Sequence, residues 1–462
     1  MRRESRKQNI IIGIIVLLLV LTIGYATLQT NLTINGTSKI NNSTWNIHFN
    51  NPTPTPGSVA IDTSAYQDAK AATKDSATQV SFNVLLSEPG DFYEFTVPVE
   101  NEGSIDAMID EITSTIQIGT GTVQNITSQT LPAWLNYSVT YSDGMPIEVK
   151  QKLVHGTTET YKVRVEFKKD ITNAQLQDAV NKELKFVFGV KYVQKDDTAV
   201  NVPHPTSFTN DSWETIVGAA KAGVTTPYTV GSTKSVTLNI DLDEDNEPEE
   251  HTYTLRVANN STPDECKTIG FSQTACGFVL EFADVITNHR MNPYTGSYTT
   301  ENGLNNNGGW EYSEMRTYVN SDIYNILPDT LKNAIIDTIV VSGYGENDST
   351  NFTTTDKLYL LSPHEVWKDI DNNENAGIDY YDKSYSNTRQ LDYYKALDVT
   401  ASSYPGANYS GAIKLYNNSE KYWWLRSAYN QNTSFFIVTG SGGWGNFSSS
   451  YISGVSPAFR LG

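Results

Sequence analysis

Trp423-Trp424-Leu425-Arg426-Ser427, followed after a Gly, Asn and Ser-rich stretch by Gly454-Val455-Ser456-Pro457-Ala458-Phe459-Arg460-Leu461, is the part of the chain on which the reading of the fold turns. Neighbouring side chains on a strand point to opposite faces. Two adjacent tryptophans leading into an arginine therefore read as a strand at the rim of a core, with one indole inside and the other shaping a surface. Arg316, Arg389, Arg426 and Arg460 belong to a small set of arginines in an acidic region. A buried arginine must be paired and hydrogen-bonded or it costs several kcal/mol, and Glu365 and Asp356 are the expected partners. The expectation is an internal ion-pair and cap network tying irregular loops together, with a ligand-facing role as the alternative.

The chain has 462 residues, enough for two or three domains with their own cores. A formal net charge of −19 argues against nucleic acid, whose phosphates need a positive partner field. The basic cluster Arg2, Arg3, Arg6 and Lys7 directly precedes an apolar run over residues 10–28. That run is long enough to span a hydrocarbon core, with the basic flank holding its amino end in the cytoplasm. An export signal cleaved after Ala26, with Gly24 and Ala26 as the small residues a peptidase requires, is the alternative. A buried helix of a soluble protein is the blander one. Under either of the first two readings, everything after about residue 30 lies outside the cytoplasm. Asn-x-Ser/Thr triplets are frequent, but an Asn and Thr-rich chain produces them by chance.

Residues 30–195 read as a β-sandwich. Trp45-Asn46-Ile47-His48-Phe49 alternates polar and apolar residues, and Pro52-Thr53-Pro54-Thr55-Pro56-Gly57 breaks any regular element. In Tyr93-Glu94-Phe95-Thr96-Val97-Pro98-Val99-Glu100 the first, third, fifth and seventh residues form one face. The same period returns at 135–141, 161–167 and 186–193, with Gly, Asn and Asp turns between. Helical spacing of Leu176, Ala179 and Val180 predicts one short helix over 174–184.

A polar, Pro-broken stretch at 196–210 marks a linker, and 211–462 reads as an α+β domain. Trp213, Ile216, Val217 and Ala220 predict a helix over 212–223, and strands follow at 235–240 and 251–257. Helical segments are expected over 313–327 and 331–336. Leu358-Tyr359-Leu360-Leu361 reads as a buried strand turning into a short helix at Glu365, and 369–386 as a long surface excursion. Asp241, Asp243 and Asp245 have the alternating spacing of a calcium loop, so calcium is a conceivable cofactor. Asn246 and Thr252 stand where that loop needs glycine and glutamate, which favours a solvated hairpin tip. Cys266 and Cys276 form either a disulfide closing a ten-residue step or two free buried thiols. Two cysteines alone do not make a zinc site.

An ordered set of motifs spans 210–462: Trp213 with Gly223, Tyr228 and Gly231; Gly309-Trp310 with Ser313, Arg316 and Leu327-Pro328; Lys357-Leu358-Tyr359-Leu360-Leu361-Ser362 with Glu365-Val366; Thr388-Arg389; and the two motifs quoted first. Together they resemble the bacterial surface domain of unknown function DUF6273. The resemblance implies no established activity, and implies a place at the end of exported multidomain proteins. The motifs are also similar to the C-type-lectin-like fold of formylglycine-generating and phage receptor-binding domains. The catalytic cysteines and metal ligands of the oxidase branch are not evident, since Cys266 and Cys276 precede the central motifs. The layout of residues 10–193 resembles camelysin and biofilm-matrix fibre subunits of Gram-positive envelopes. That likeness implies an immunoglobulin-like exported sandwich with a structural or presenting role.

The expectation is therefore a membrane-anchored surface protein whose sandwich presents a non-catalytic module for cell-surface carbohydrate or protein. A structural or fibre-forming envelope protein is the alternative, and a glycan-active enzyme the third reading. Sugar rings stack on aromatic faces while Asn and Asp bind their hydroxyls. This makes Trp310, Trp367, Trp424, Tyr393, Tyr394 and Trp444 binding candidates, with core burial as the competing reading for each. Arg316, Arg389, Arg426, Arg460 and Glu365 are their polar companions, and residues 440–450 a rim. No Gly-x-Ser-x-Gly elbow is found. Glu365 with Asp392 is the one carboxylate pair considered for sugar cleavage, and His364 lacks the second histidine of a zinc motif.

Overall fold

Along Phe92–Asn101 every second residue is buried, Tyr93, Phe95, Val97 and Val99 among them. The same period runs through Thr158–Phe167 and much of Leu184–Gln194. The computed structural model describes residues 43–179, 182–241, 247–293, 306, 308–343, 351–368, 370, 387–401, 410–429 and 433–462. It is mostly β, with 39% strand against 14% helix. One antiparallel sheet runs in the order Ile47–Phe49, Phe92–Asn101, Thr158–Phe167, Leu135–Tyr141. A second runs Lys70–Ser76, Gln79–Val84, Leu184–Gln194, Ala107–Ile118, Gln124–Asn125. Their inner faces meet through aromatic rings. Phe82 lies 5.2 Å from Phe95, Phe49 lies 6.0 Å from Phe188, and Tyr137 lies 5.6 Å from Phe186. Truncating a buried Phe of this kind costs about 3–5 kcal/mol.

Two expectations here need correction. The Pro-rich loop contributes Thr53–Pro54 as a two-residue strand against Thr96 and Phe95, a position at the sheet edge where Pro is tolerated. The helix is Asn173–Ala179 and does not extend to Leu184, which opens the next strand.

The second half begins with the helix Trp213–Ala222, capped by Ser212 and ended by Gly223 in the left-handed conformation, φ 70°. A four-stranded sheet has the order Thr233–Ile240, Glu249–Asn259, Val279–Phe282, Ala458–Arg460, so the last strand of the chain closes onto a strand some 180 residues earlier. A five-stranded sheet has the order Thr287–His289, Ser453–Val455, Trp423–Ala428, Ser434–Val438, Trp444–Ser448. Glu314–Tyr318 continues through a π turn at Val319–Ile323 into Tyr324–Ile326, and Asp329–Lys332 is a separate single turn. Leu358, Tyr359, Leu360 and Leu361 are all fully buried, yet they form no strand. Only Tyr359 makes an isolated bridge, to Ala458. A continuous apolar run reports burial and not backbone shape.

At Gly309, φ is +53° and an added Cβ would lie 2.3 Å from the Gly343 carbonyl oxygen, so no side chain fits between the turn and that strand. Among the described residues no helix is long and apolar enough to cross a membrane. The apolar run at 10–28, Ala26, the 369–386 excursion apart from Ile370, and the residues Asp243 and Asp245 lie outside the described residues.

Candidate functional site

Every residue of Trp423–Ala428 is buried, and strands pair with it on both sides. Trp424 is therefore not the surface-shaping indole that alternation suggests. Its Nε1 donates to the His289 carbonyl at 2.8 Å, and Trp423 Nε1 donates to that of Ala412 at 3.1 Å.

Arg426 is fully buried and meets Glu365, also fully buried, through two parallel bonds of 2.6 Å. Its Nη1 donates as well to the Leu360 carbonyl at 2.9 Å. Glu365 sits in the first turn of Pro363–Val366, where it accepts the Ser362 N–H at 2.9 Å, and it takes the Thr274 and Thr388 hydroxyls besides. Burial pushes this carboxyl up, but the Arg426 charge and the converging donors outweigh it and hold the group below its ordinary value. A sealed, ionised and fully hydrogen-bonded carboxylate has no proton to give a glycosidic oxygen. The pairing of Glu365 with Asp392 for sugar cleavage accordingly loses its acid, and Asp392 itself is engaged by Arg389 at 2.8 Å and by the Ser261 hydroxyl at 2.9 Å.

The other arginines follow the same logic. Arg316 Nε donates to Asp356 at 2.7 Å, and the buried Trp310 donates to the other oxygen of that carboxylate at 2.9 Å. Arg389 ties Asn259, the Ala275 carbonyl, Asp392 and Glu265 together at 2.8–3.0 Å. Arg460 donates to the Cys276 carbonyl and to Gln273. Both expected acidic partners are thus used, Glu365 by Arg426 and Asp356 by Arg316. Cys266 and Cys276 are joined in a disulfide, which fixes the single turn Asp264–Lys267 that carries Glu265.

One buried cluster escaped the sequence reading. Lys414 Nζ donates to Glu281 at 2.7 Å, to the Phe282 carbonyl at 2.6 Å and to Ser456 at 2.8 Å. Arg256 and Tyr394 complete the shell of Glu281 at 2.8 and 2.9 Å. Burial brings Lys414 down to about 8, even against the pull of Glu281. The charges of Arg256 and Lys414 overcome burial at Glu281 and hold it at about 2. Tyr394 is consequently internal, and Tyr393 is covered by the Arg256 guanidinium, 3.7 Å above its ring.

Of the binding candidates, Trp310, Trp424, Tyr394, Arg426 and Glu365 are sealed inside and offer no face to a ligand, and Trp367 is buried at the wall of a cleft. Trp444 is half-buried on the edge strand Trp444–Ser448. Trp367, His364, Arg389, Thr388, Gln390, Glu265, Lys368 and Lys395 line an open cleft of about 250 Å³. An exposed pair of aromatic rings bridged by a third lies elsewhere in this half, apart from the more exposed single ring of Tyr312. Tyr422 and Tyr451 are 45% and 59% exposed, and Ile452 60%. The Phe447 ring sits between the two tyrosines, 5.3 Å from Tyr422 and 5.8 Å from Tyr451, and rests 6.2 Å from the Trp424 indole beneath. Ser448, Ser450 and Ser453 border this ridge. Only part of this was signalled in the sequence: Phe447 lies in the stretch 440–450 named as a rim, whereas Tyr422, two residues from the buried Trp424, is not marked by the two-residue period.

Asp241, the one described member of the proposed calcium set, directly follows the strand Thr233–Ile240. No curated protein and no solved structure matches the chain. A family model matches over 285–462, a shorter span than the 210–462 over which motifs were read. The structural unit starts upstream of that match, since Glu281, Arg256 and Asn259 are bonded into it. The C-terminal region, residues 285–462, is a DUF6273 domain, a domain of unknown function.

Proposed function

We propose that this chain is an exported surface protein of a Gram-positive envelope, in which an immunoglobulin-like sandwich presents a C-type-lectin-like module that binds carbohydrate without catalysis. The observation that carries the reading is the ridge in which the exposed Tyr422 and Tyr451 flank the half-buried Phe447, bordered by serine hydroxyls. Aromatic faces stack on the apolar faces of sugar rings while hydroxyls serve their edges. The buried motif residues support the ridge and do not touch the ligand. The apolar segment 10–28 tethers the chain to the cell membrane, or is cleaved near Ala26 to release it.

The test is binding of Gram-positive envelope polysaccharides to the full chain. Tyr451→Ala and Tyr422→Ala are expected to weaken binding at least about tenfold, some 1.4 kcal/mol. Unchanged binding in both variants removes the ridge as the site.

A second reading has its own support in the burial of nearly every motif residue, which suits a rigid structural or fibre-forming envelope element. Concentration-dependent assembly of the full chain that survives Tyr451→Ala, with no saccharide bound, would replace the first reading by this one.

A further inference from the structure

The two-residue period that packs Ile47 and Phe49 into the sandwich turns His48 outward. His48 stands on the short edge strand Ile47–Phe49, directly opposite Glu100 on Phe92–Asn101. Glu102 lies two residues beyond Glu100 and so on the same face, and its N–H continues the ladder to the Asn46 carbonyl at 2.9 Å. One ligand atom from each of His48, Glu100 and Glu102 falls within 4.8 Å of the others, and His48 Nε2 is 3.8 Å from Glu100 Oε2.

We infer that His48, Glu100 and Glu102 form a binding site for a divalent transition-metal cation of the Zn²⁺ class on the outer face of the sandwich. Imidazole with two carboxylates is a borderline donor set, which selects Zn²⁺ and its neighbours over Ca²⁺ and Mg²⁺. Bonds of about 2.0–2.2 Å place tetrahedral ligand atoms roughly 3.3 Å apart, so small rotations close the set; the exposed Glu102 moves most easily. Three protein ligands leave one position for water.

The surroundings are arranged for this use. The Asn50 amide donates to Glu100 Oε1 at 2.7 Å, leaving Oε2 for the cation, and the Asn46 amide holds Glu102 at 2.8 Å. Asparagines thus flank the histidine at both i−2 and i+2, each orienting one carboxylate from outside, as the partners of metal ligands commonly do. His204 also meets two carboxylates, but through its two different nitrogens, Nδ1 to Asp143 and Nε2 to Glu159. That arrangement makes a cationic bridge and leaves no shared point for an ion. His155 and His251 each face a single acidic residue.

The test is a calorimetric titration of Zn²⁺ into the full chain, free of any affinity tag, together with the visible absorption of the Co²⁺ form. One equivalent is expected to bind, with an intense Co²⁺ band reporting low coordination number. His48→Ala is expected to abolish both signals, Glu100→Gln and Glu102→Gln to weaken binding by at least about tenfold, and Asn50→Ala by about tenfold. His251→Ala serves as the control and leaves binding unchanged. All these side chains point away from the core, so near-UV circular dichroism of the variants should match the parent. Absence of a stoichiometric site in the parent, or a site that survives His48→Ala, overturns the proposal.

Discussion

Arg426 and Glu365 face each other through two 2.6 Å hydrogen bonds with both side chains wholly excluded from solvent. A pair in that position organises everything that converges on it. Arg426 reaches back to the Leu360 carbonyl from a central strand, and Glu365 gathers Thr274 and Thr388 from two other segments and the Ser362 N–H from its own turn. Removing one partner strands the other as a buried charge, which costs about 3–5 kcal/mol. Glu365→Gln and Arg426→Met should each lower the urea midpoint of the C-terminal region by that order. The double change Glu365→Leu with Arg426→Met should recover much of the loss, because replacing a whole buried pair with apolar groups is often close to neutral. Additive losses in the double variant would contradict the pairing.

The disulfide closes a step of ten residues. Loop entropy of that size corresponds to about 3 kcal/mol. Cys266→Ser with Cys276→Ser should destabilise the C-terminal region by roughly this amount, measured by denaturant unfolding against the oxidised parent, and reducing agent should reproduce it in the parent alone. Because the Asp264–Lys267 turn carries Glu265, its contact with Arg389 at 3.0 Å should loosen too.

His204 clips the segment after the sandwich onto it, with Nδ1 2.5 Å from Asp143 and Nε2 3.3 Å from Glu159. The Glu159 carboxylate, with Asp143 adding to it against the effect of burial, raises this imidazole to about 9. The folded value lies above the unfolded one of about 6.5. The contact therefore contributes fully below about pH 6.5 and is lost as pH rises towards 9. The denaturation midpoint of the parent should fall between pH 6 and pH 9.5, and His204→Gln should flatten that fall. Solvent screening at a side chain 35% exposed keeps the effect small. A parent midpoint that is level across this range would contradict the clasp.

Gly454, in the closing motif, lies where an added Cβ would approach the Tyr422 carbonyl oxygen to 2.8 Å and Val285 to 2.7 Å. Gly454→Ala should shift Tyr422 and reduce saccharide binding along with stability. Gly440→Ala, with nothing nearer than 3.7 Å, should alter neither. Saccharide affinity and thermal unfolding of the two variants check this.

The sandwich was legible because its strands are half-buried and write a period of two into the sequence, as Tyr93 to Val99 does. The C-terminal half was legible in its motifs and less so in its backbone. Leu358 to Leu361 is buried whatever its φ and ψ, so hydrophobicity could not tell strand from loop. The rule that a buried arginine must be paired led to Glu365 and Asp356 as partners, and both are used in this way. The Lys414–Glu281 pair could not be foreseen, since 133 residues separate two side chains that look like ordinary surface charges. Trp424 and Trp444 were named from the sequence, and neither Tyr422 nor Tyr451 was singled out. Trp424 drew the eye by size, while the exposed Tyr422 beside it carries no periodic mark of its own.

The measurement that bears most directly on the account is the affinity of the full chain for envelope polysaccharide, compared among the parent, Tyr451→Ala and Trp444→Ala at equal thermal stability. Loss of about tenfold or more in Tyr451→Ala, with Trp444→Ala close to the parent, is the predicted result. Full affinity in Tyr451→Ala, or loss confined to Trp444→Ala, would contradict the placement of the binding surface on the Tyr422, Phe447 and Tyr451 ridge.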